Sequence, residues 1–272
     1  MPKLLHPQGR TGNLVLDSLG TEEIERLPLK PVTLRLGQVV YGDHEHIAYV
    51  YFPTTSLISC LHTTQTGATA ETAVIGNDGV LGTAVFLGHA ASSHQAVTQV
   101  GGNAFSVSAK ALQLEFARGG ALQTALLRYT HALITQISQT AVCNRLHPLE
   151  QRLCRWLLLC HDRVTGSEVF MTQEVIANML GGRRESVTVA AGHLQDLGLI
   201  CYARGRIRIV SREGLERLSC ECYDVVNRYL SRAAHCTPSR PANANSGKRD
   251  GEATLSARQN HLGMSNTDCQ SP

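Results

Sequence analysis

Two adjacent glycines constrain this chain more than any other feature. In MTQEVIANMLGGRRESVTVAAGHLQDLGLI, residues 171–200, Gly181-Gly182 separate two short segments of helical apolar period. Each glycine would cost about 1 kcal/mol inside a helix relative to alanine, so one helix ends here and a second begins just beyond. Thr172 is placed as the N-cap of the first helix, with Gln173 and Glu174 in its first turn and Val175, Ile176, Met179 and Leu180 on its buried side. The second starts near Arg183, buries Val187, Ala190, Ala191, Leu194 and Leu197, and stops at Gly198, which suits a left-handed C-cap. Ala177, five positions before Gly182, is small enough to let the two helices cross closely at the steep angle of a helix-turn-helix.

The side chains left over point to a ligand. Arg183, Arg184, Glu185, Ser186 and Thr188 fall on the exposed N-terminal end of the second helix. Arginines beside the positive end of a helix dipole are unfavourable by a few tenths of a kcal/mol each, roughly, so folding does not ask for them. A polyanion does. Arginine grips guanine through two hydrogen bonds, glutamate accepts from a cytosine amine, and serine or threonine binds phosphates or base edges. Downstream, YARGRIRIV reads as a hairpin with Arg204 and Arg206 at a Gly205 turn, where a wing would touch the neighbouring DNA backbone. Taken alone, such a tip is equally a solvated basic turn; beside the helix pair it reads as a DNA contact. The expected DNA-binding residues are Thr172, Gln173, Arg183, Arg184, Glu185, Ser186, Thr188, Val189, Arg204 and Arg206.

Charge is distributed to match. Residues 1–146 hold nine Lys/Arg and nine Asp/Glu, whereas 171–212 hold six arginines against three carboxylates. Every basic residue in 147–232 is arginine, the side chain whose planar fork suits phosphates and guanine edges. At 272 residues the chain has room for two ordinary domains with real cores. No apolar run is long enough to span a membrane and the N-terminus lacks a secretory pattern, so the expected compartment is the cytoplasm. Nine irregularly spaced cysteines read there as reduced thiols.

From about Leu14 to Val107, short β-type runs such as VTLRLGQVVY and AYVYFP alternate with Gly, Pro, Asn and Asp, as in an antiparallel sandwich or barrel of about eight strands. Past Gly119-Gly120 the pattern turns helical. Leu122, Leu126, Tyr129, Leu133, Ile137 and Thr140 recur at steps of three and four, close to a coiled-coil seam that needs either a partner or the chain's own β domain. After His147-Pro148 comes LEQRLCRWLLLCHDR, with the only tryptophan, Trp156, among leucines. A two-stranded pattern follows the helix pair, then one last helix over about Ser211–Ser231. The tail from Ala233, poor in apolar residues, reads as disordered.

The stretch MTQEVIANMLGGRRESV…L…GLI…RGRIRI resembles the Crp/Fnr family of bacterial transcription regulators, whose pattern LTQEELAxMLGxxRxxV…L…GLI…RGRIxI it nearly writes out. The likeness extends over roughly residues 12–232 and implies an α+β chain. Its parts would be an antiparallel, cyclic-nucleotide-binding-like β-roll (jelly roll) at 12–118, a dimerisation helix at 119–146, a winged helix-turn-helix at 147–232 and a tail at 233–272. It also implies a homodimer on a pseudo-palindromic double-stranded DNA operator, RNA polymerase as a further partner, and no enzymatic activity. Arg184 and Glu185 stand at the family's base-reading arginine and glutamate, while Val189 replaces a second base-reading arginine.

The implied effector pocket departs further. Where cyclic-nucleotide binders carry a Gly-Glu segment and an Arg-Ser/Thr-Ala segment, this chain has Gly82-Thr83 and His94-Gln95-Ala96. A neutral imidazole does not replace a bidentate, permanently charged guanidinium. Cyclic AMP is therefore not expected to bind in the usual manner; another small effector, or none, stays open.

Three other readings compete. A metal or redox sensor could use Cys220-Glu221-Cys222 or His44 and His46, but on a continuous helix residues i and i+2 point about 200° apart, so no cofactor and no metal ligand are expected. Cys143 with His147, or Cys160 with His161, could be paired as nucleophile and base, yet both pairs lie in or beside amphipathic helices, no phosphate loop or nucleophile elbow is present, and no catalytic residue is expected. A regulator acting by protein contact alone would leave Arg183, Arg184 and Arg206 idle.

Overall fold

The computed structural model describes residues 10–164 and 168–235. The expected α+β class holds. Asn13 opens the described chain as the cap of α1 (Leu14–Asp17), accepting from the Val15 and Leu16 amides while its side-chain amide donates to the Pro53 and Gly79 carbonyls at 2.8 and 2.9 Å. Thus a buried asparagine ties the N-terminal segment to the end of one β-roll strand and to a β-roll turn. Helix α2 (Thr21–Arg26) follows and leads into the strands.

Seven strands, not about eight, build two antiparallel sheets: β1 (Lys30–Leu34), β2 (Val39–Tyr41), β3 (Tyr49–Pro53), β4 (Leu57–Thr63), β5 (Thr69–Ile75), β6 (Gln95–Val100) and β7 (Gly102–Ser108). Their orders are β1-β7-β3 and β2-β6-β4-β5. The segment between β5 and β6 makes only isolated bridges and a short 3-10 turn at Thr83–Val85, which explains the lower count. Val50 and Phe52 alternate inward on β3, whereas the adjacent pairs Leu57-Ile58 and Val74-Ile75 are all buried, so β4 and β5 are covered on both faces there.

Helix α3 (Ala109–Ala117), capped by Ser108, leads into the long α4 (Ala121–Leu146). Most of the predicted seam on α4 faces its own domain: Leu122, Leu126, Tyr129 and Thr140 are buried and Leu133 is half-buried. The large apolar residues that α4 leaves exposed are Leu127, Ile134, Ile137, Val142 and, at its end, Leu146. Of the two partners the period allowed, the stripe meets mainly the chain's own β domain, with Ile137 as its exposed member.

Helix α5 (Leu149–His161) packs Leu153, Trp156, Leu157 and Leu158 into the core. Next come β8 (Glu168–Phe170), α6 (Gln173–Leu180), α7 (Arg184–Asp196), β9 (Ile200–Ala203) and β10 (Arg206–Ile209). The wing has three strands in the order β8-β10-β9, where the sequence suggested two. The last predicted helix is in fact two, α8 (Arg212–Leu218) and α9 (Cys222–His235), broken at Ser219-Cys220-Glu221. Helix α9 runs past the expected end at Ser231, and the rest of the predicted tail lies outside the described residues. Among the described residues no helix is long and apolar enough to cross a membrane.

A polar seam holds α4 and α5 to the β-roll. The Gly76-Asn77-Asp78-Gly79 turn approaches both helices so closely that a Cβ at Gly76 would lie 2.5 Å from the Arg163 Cβ, and one at Gly79 2.6 Å from the Tyr129 hydroxyl. Arg163, fully buried, donates from Nε and Nη2 to the two Asp78 carboxylate oxygens at 3.1 and 3.0 Å, and from Nη1 to the Leu159 carbonyl at 2.6 Å. Trp156 Nε1 donates to Glu71 at 2.8 Å, and Ser59 donates to the other Glu71 oxygen. Burial pushes the Glu71 carboxyl up to about 7, against the opposing pull of these two hydrogen bonds and of Arg155 and Arg163.

Candidate nucleic-acid interface

Local chemistry sets the helix pair. Thr172 caps α6 by accepting from the Val175 amide at 3.3 Å, and Gly181 ends it in the left-handed region at φ 60°. Gly182 then passes so near α5 that a Cβ would sit 2.9 Å from a Leu149 methyl. Its amide returns to the Ala177 carbonyl at 2.9 Å, and Arg152 Nη1 donates to the Leu180 carbonyl at 2.7 Å, so the turn is satisfied from both sides. Ile176, Ala177, Met179 and Leu180 are buried as expected, as are Val187, Ala190, Ala191 and Leu194. Val175 and Leu197 are corrections, being 37% and 49% exposed: each sits at the edge of its apolar stripe, where helical period alone does not decide.

Helix α7 opens at Arg183, an N-cap without a side-chain cap bond, and closes before Gly198 at φ 68°. Arg183, Arg184, Glu185, Ser186, Thr188 and Val189 are all exposed on its leading end. Arg183 and Arg184 have no ion pair or side-chain hydrogen bond among the described residues. Thr188 Oγ1 donates to Gln173 Oε1 at 2.9 Å, so two expected DNA contacts are first of all a tie between the helices. Sequence reasoning did not anticipate His193, whose Nδ1 lies 2.6 Å from Glu150 Oε2 and secures α7 to the start of α5. Their separation by 43 residues hid the pairing.

The wing turn is a two-residue hairpin with Arg204 at φ 51° and Gly205 at φ 76°. Positive φ at both positions matches the right-handed twist of the strands; glycine adopts it freely, whereas Arg204 accepts strain to hold its side chain at the tip. Arg206 stacks its guanidinium over Phe170, 4.8 Å from the ring centroid, which aims it along the wing. Tyr202 donates to the Met171 carbonyl at 3.0 Å and joins the wing to the base of α6.

The predicted effector residues lie in the β-roll, apart from this surface. A Cβ at Gly82 would meet the Tyr41 hydroxyl at 3.0 Å and a Val50 methyl at 3.2 Å. Tyr41 is itself held by the Tyr49 carbonyl at 2.8 Å, so the space behind Gly82 is filled by side chains. Thr83 begins the 3-10 turn and Gln95 begins β6. His94 packs against the His62 ring with centroids 5.8 Å apart, and burial followed by the His62 charge lowers its pKa. A neutral imidazole is what this arrangement favours.

A family model for the Crp-like helix-turn-helix domain matches residues 151–218. Comparison with curated protein sequences gives no match. Among solved structures, FixK2 from Bradyrhizobium japonicum is similar at a TM-score of 0.61 and 18% identity, covering 71% of this chain and 98% of its own. A transcriptional regulator of the Crp/Fnr family from Eubacterium rectale gives 0.58 at 15% identity, covering 75% and 96%. A CRP-family regulator from Thermus thermophilus gives 0.58 at 18%, covering 70% and 96%. These identities carry the fold; the matched domain carries the helix-turn-helix. Residues 151–218 thus carry a Crp-like helix-turn-helix domain, in a chain that shares its fold with these regulators.

Proposed function

We propose that the chain acts as a cytoplasmic homodimer that inserts one α7 per half-site into successive major grooves of a pseudo-palindromic operator. The observation that carries this reading is the leading end of α7, where Arg183 and Arg184 project into solvent with no folding partner while the Gly181-Gly182 turn before them is closed without their help. Arg184 and Glu185 read base edges, Ser186 and Thr188 serve phosphates or edges, and Val189 offers at most an apolar contact to a thymine methyl. Arg204 and Arg206 grip the flanking backbone. Thr172 and Gln173, at the start of α6, approach the phosphates that the first helix crosses. In this scheme 12–118 is the sensor, 119–146 the dimerisation helix and 147–232 the DNA-binding domain.

Dimerisation is supported by Leu127, Ile134, Ile137 and Val142, an apolar row that a single chain leaves in water on its longest helix. Cyclic AMP is not the effector: Thr83 and His94 supply neither a ribose-binding carboxylate nor a phosphate-binding charge, and Tyr41 occupies the space behind Gly82. RNA polymerase is the partner such a regulator meets at a promoter.

Recovery of bound fragments from genomic DNA tests binding, half-site symmetry and target class together. Two half-sites with centres one helical turn apart, about 10 base pairs, are expected. A dimer that binds recovered and scrambled duplexes equally at moderate ionic strength overturns the reading.

A further inference from the structure

At the break between α8 and α9, four side chains from distant parts of the sequence converge. Cys143 lies in the last turn of α4 and His147 is its C-cap; Cys220 and Cys222 flank Glu221 where the helix is interrupted. The ligand-type atoms of Cys143, His147, Cys220 and Cys222 all lie within 4.8 Å of one another. The geometric objection to a Cys-x-Cys pair needed a continuous helix, and the chain is unwound at that very point. With Cys220 outside the helix and Cys222 at its first position, both sulfurs turn to one centre.

The spacing is that of a coordination shell. Cys143 Sγ and Cys220 Sγ are 3.5 Å apart, and Cys222 Sγ lies 3.6 Å from His147 Nδ1. A tetrahedral zinc ion with Zn–S bonds of about 2.3 Å and Zn–N bonds of about 2.0–2.1 Å would set S···S edges of roughly 3.8 Å and S···N edges of roughly 3.6 Å. A disulfide needs about 2.05 Å. The three thiols form a buried cluster of their own, separate from the main hydrophobic core.

The surroundings suit an anionic centre. His147 Nε2, on the far side of the ring from Cys222, is 3.3 Å from Glu221 Oε1, the outer carboxylate that commonly fixes a ligating imidazole. Arg155 is buried, makes one long hydrogen bond of 3.4 Å to Thr140 and leaves its Nε without a partner. Three thiolates and one neutral imidazole around a divalent ion carry a net charge of −1, which suits a buried guanidinium whose charge acts otherwise on Glu71. The N-terminal end of α9 adds its dipole at Cys220 and Cys222.

We propose that Cys143, His147, Cys220 and Cys222 form a closed tetrahedral site for a thiophilic divalent cation, zinc by its coordination chemistry, that pins the end of α4 to the start of α9. Four protein ligands leave no open position, which is the pattern of a structural centre. The site stands independently of the DNA-binding reading, since none of its residues belongs to α6, α7 or the wing.

The test uses the full chain, purified reduced and without oxygen, and titrated with Co²⁺. One cobalt per chain is expected, with the strong visible bands of tetrahedral cobalt and thiolate charge transfer in the near ultraviolet, both lost on adding Zn²⁺. Zn²⁺ should also protect Cys143, Cys220 and Cys222 of the unaltered protein from alkylation, read by mass spectrometry, while exposed Cys201 stays reactive. The C143S and C220S variants should lose the charge-transfer bands, C201S should keep them, and E221Q should bind about 10–100-fold more weakly. Reduced protein that takes up no cobalt overturns the proposal, even if Cys143 and Cys220 can be oxidised to a disulfide. Thiolate bands that survive in C143S/C220S, or Zn²⁺ that leaves the three thiols unprotected, do so as well; the alkylation arm keeps the test valid should a variant fail to fold.

Discussion

Arginine serves opposite ends in two regions of this molecule. In the seam between the β-roll and α5, Arg163 is buried, and its forked donors meet a carboxylate, a carbonyl and the Gln136 side chain. At the leading end of α7, Arg183 and Arg184 stand in water with no carboxylate held against them. A buried guanidinium survives only where its partners offset its desolvation, so the seam arginine is accounted for by folding. An exposed pair at a positive helix end is not, and that surplus is what the proposed DNA surface rests on.

The largest effect that should separate the two regions is on stability. Arg163→Ala leaves the Asp78 carboxylate and Gln136 without their partner and should cost about 3–5 kcal/mol in urea unfolding. Arg184→Ala should stay within about 0.5 kcal/mol of the parent in the same experiment. A comparable loss in both variants would erase the distinction.

Glu71 sharpens the seam further. Its folded pKa, near 7, lies above its ordinary value of 4.5, so the native state holds the proton more tightly than the unfolded chain does. The resulting stability is fully present below about pH 4.5 and is lost as pH rises through 7, on the order of 3 kcal/mol. Trp156 is the chain's only tryptophan and donates to this carboxyl, so its fluorescence should titrate with a midpoint near pH 7. In Glu71→Gln, which mimics the protonated acid, that transition should vanish and the difference in unfolding free energy between pH 5 and pH 8 should shrink. An unchanged fluorescence titration in the variant would show that Glu71 is not the titrating group.

At the DNA the ranking of the two regions reverses. Arg184→Ala should cost about 1–3 kcal/mol on the operator and relax base preference at one position, as measured by competition between single-base operator variants. Variants of the seam that still fold should bind with unchanged base preference.

What could be read from the sequence follows the same division. The helix pair was legible because its determinants are local: Thr172 caps, Gly181 and Gly198 stop, and Val187, Ala190, Ala191 and Leu194 recur at helical spacing. The seam was not, since Glu71 and Trp156 are 85 residues apart, as are Asp78 and Arg163, and nothing in either neighbourhood announces the other. Whether the α4 stripe meets the β-roll or a partner was left open by its period, since Leu126 and Leu127, adjacent in sequence, point one inward and one outward. The break at Cys220 was hidden for a related reason: SREGLERLSCECYDVVNRYLS has no proline to interrupt it and no glycine near the break, so the interruption comes from packing against Cys143 and His147. In the effector region the substitutions at Thr83 and His94 were visible, but the filling of the space behind Gly82 by Tyr41 depends on a contact between residues far apart in the chain.

The smallest effect belongs to the wing. Arg206 is held flat over Phe170, which fixes where its charge sits without committing it to any base. A phosphate contact of this kind releases about one counterion, so Arg206→Ala should reduce the slope of log K against log salt by about 0.9 in magnitude. It should weaken operator and scrambled duplex by the same factor, leaving their ratio unchanged, in contrast to Arg184→Ala. A changed ratio would mean that Arg206 reads sequence after all. Phe170→Leu offers the finer discrimination: it keeps the Arg206 charge but removes the ring that orients it, and should retain most of the salt slope while weakening both duplexes by less than Arg206→Ala does.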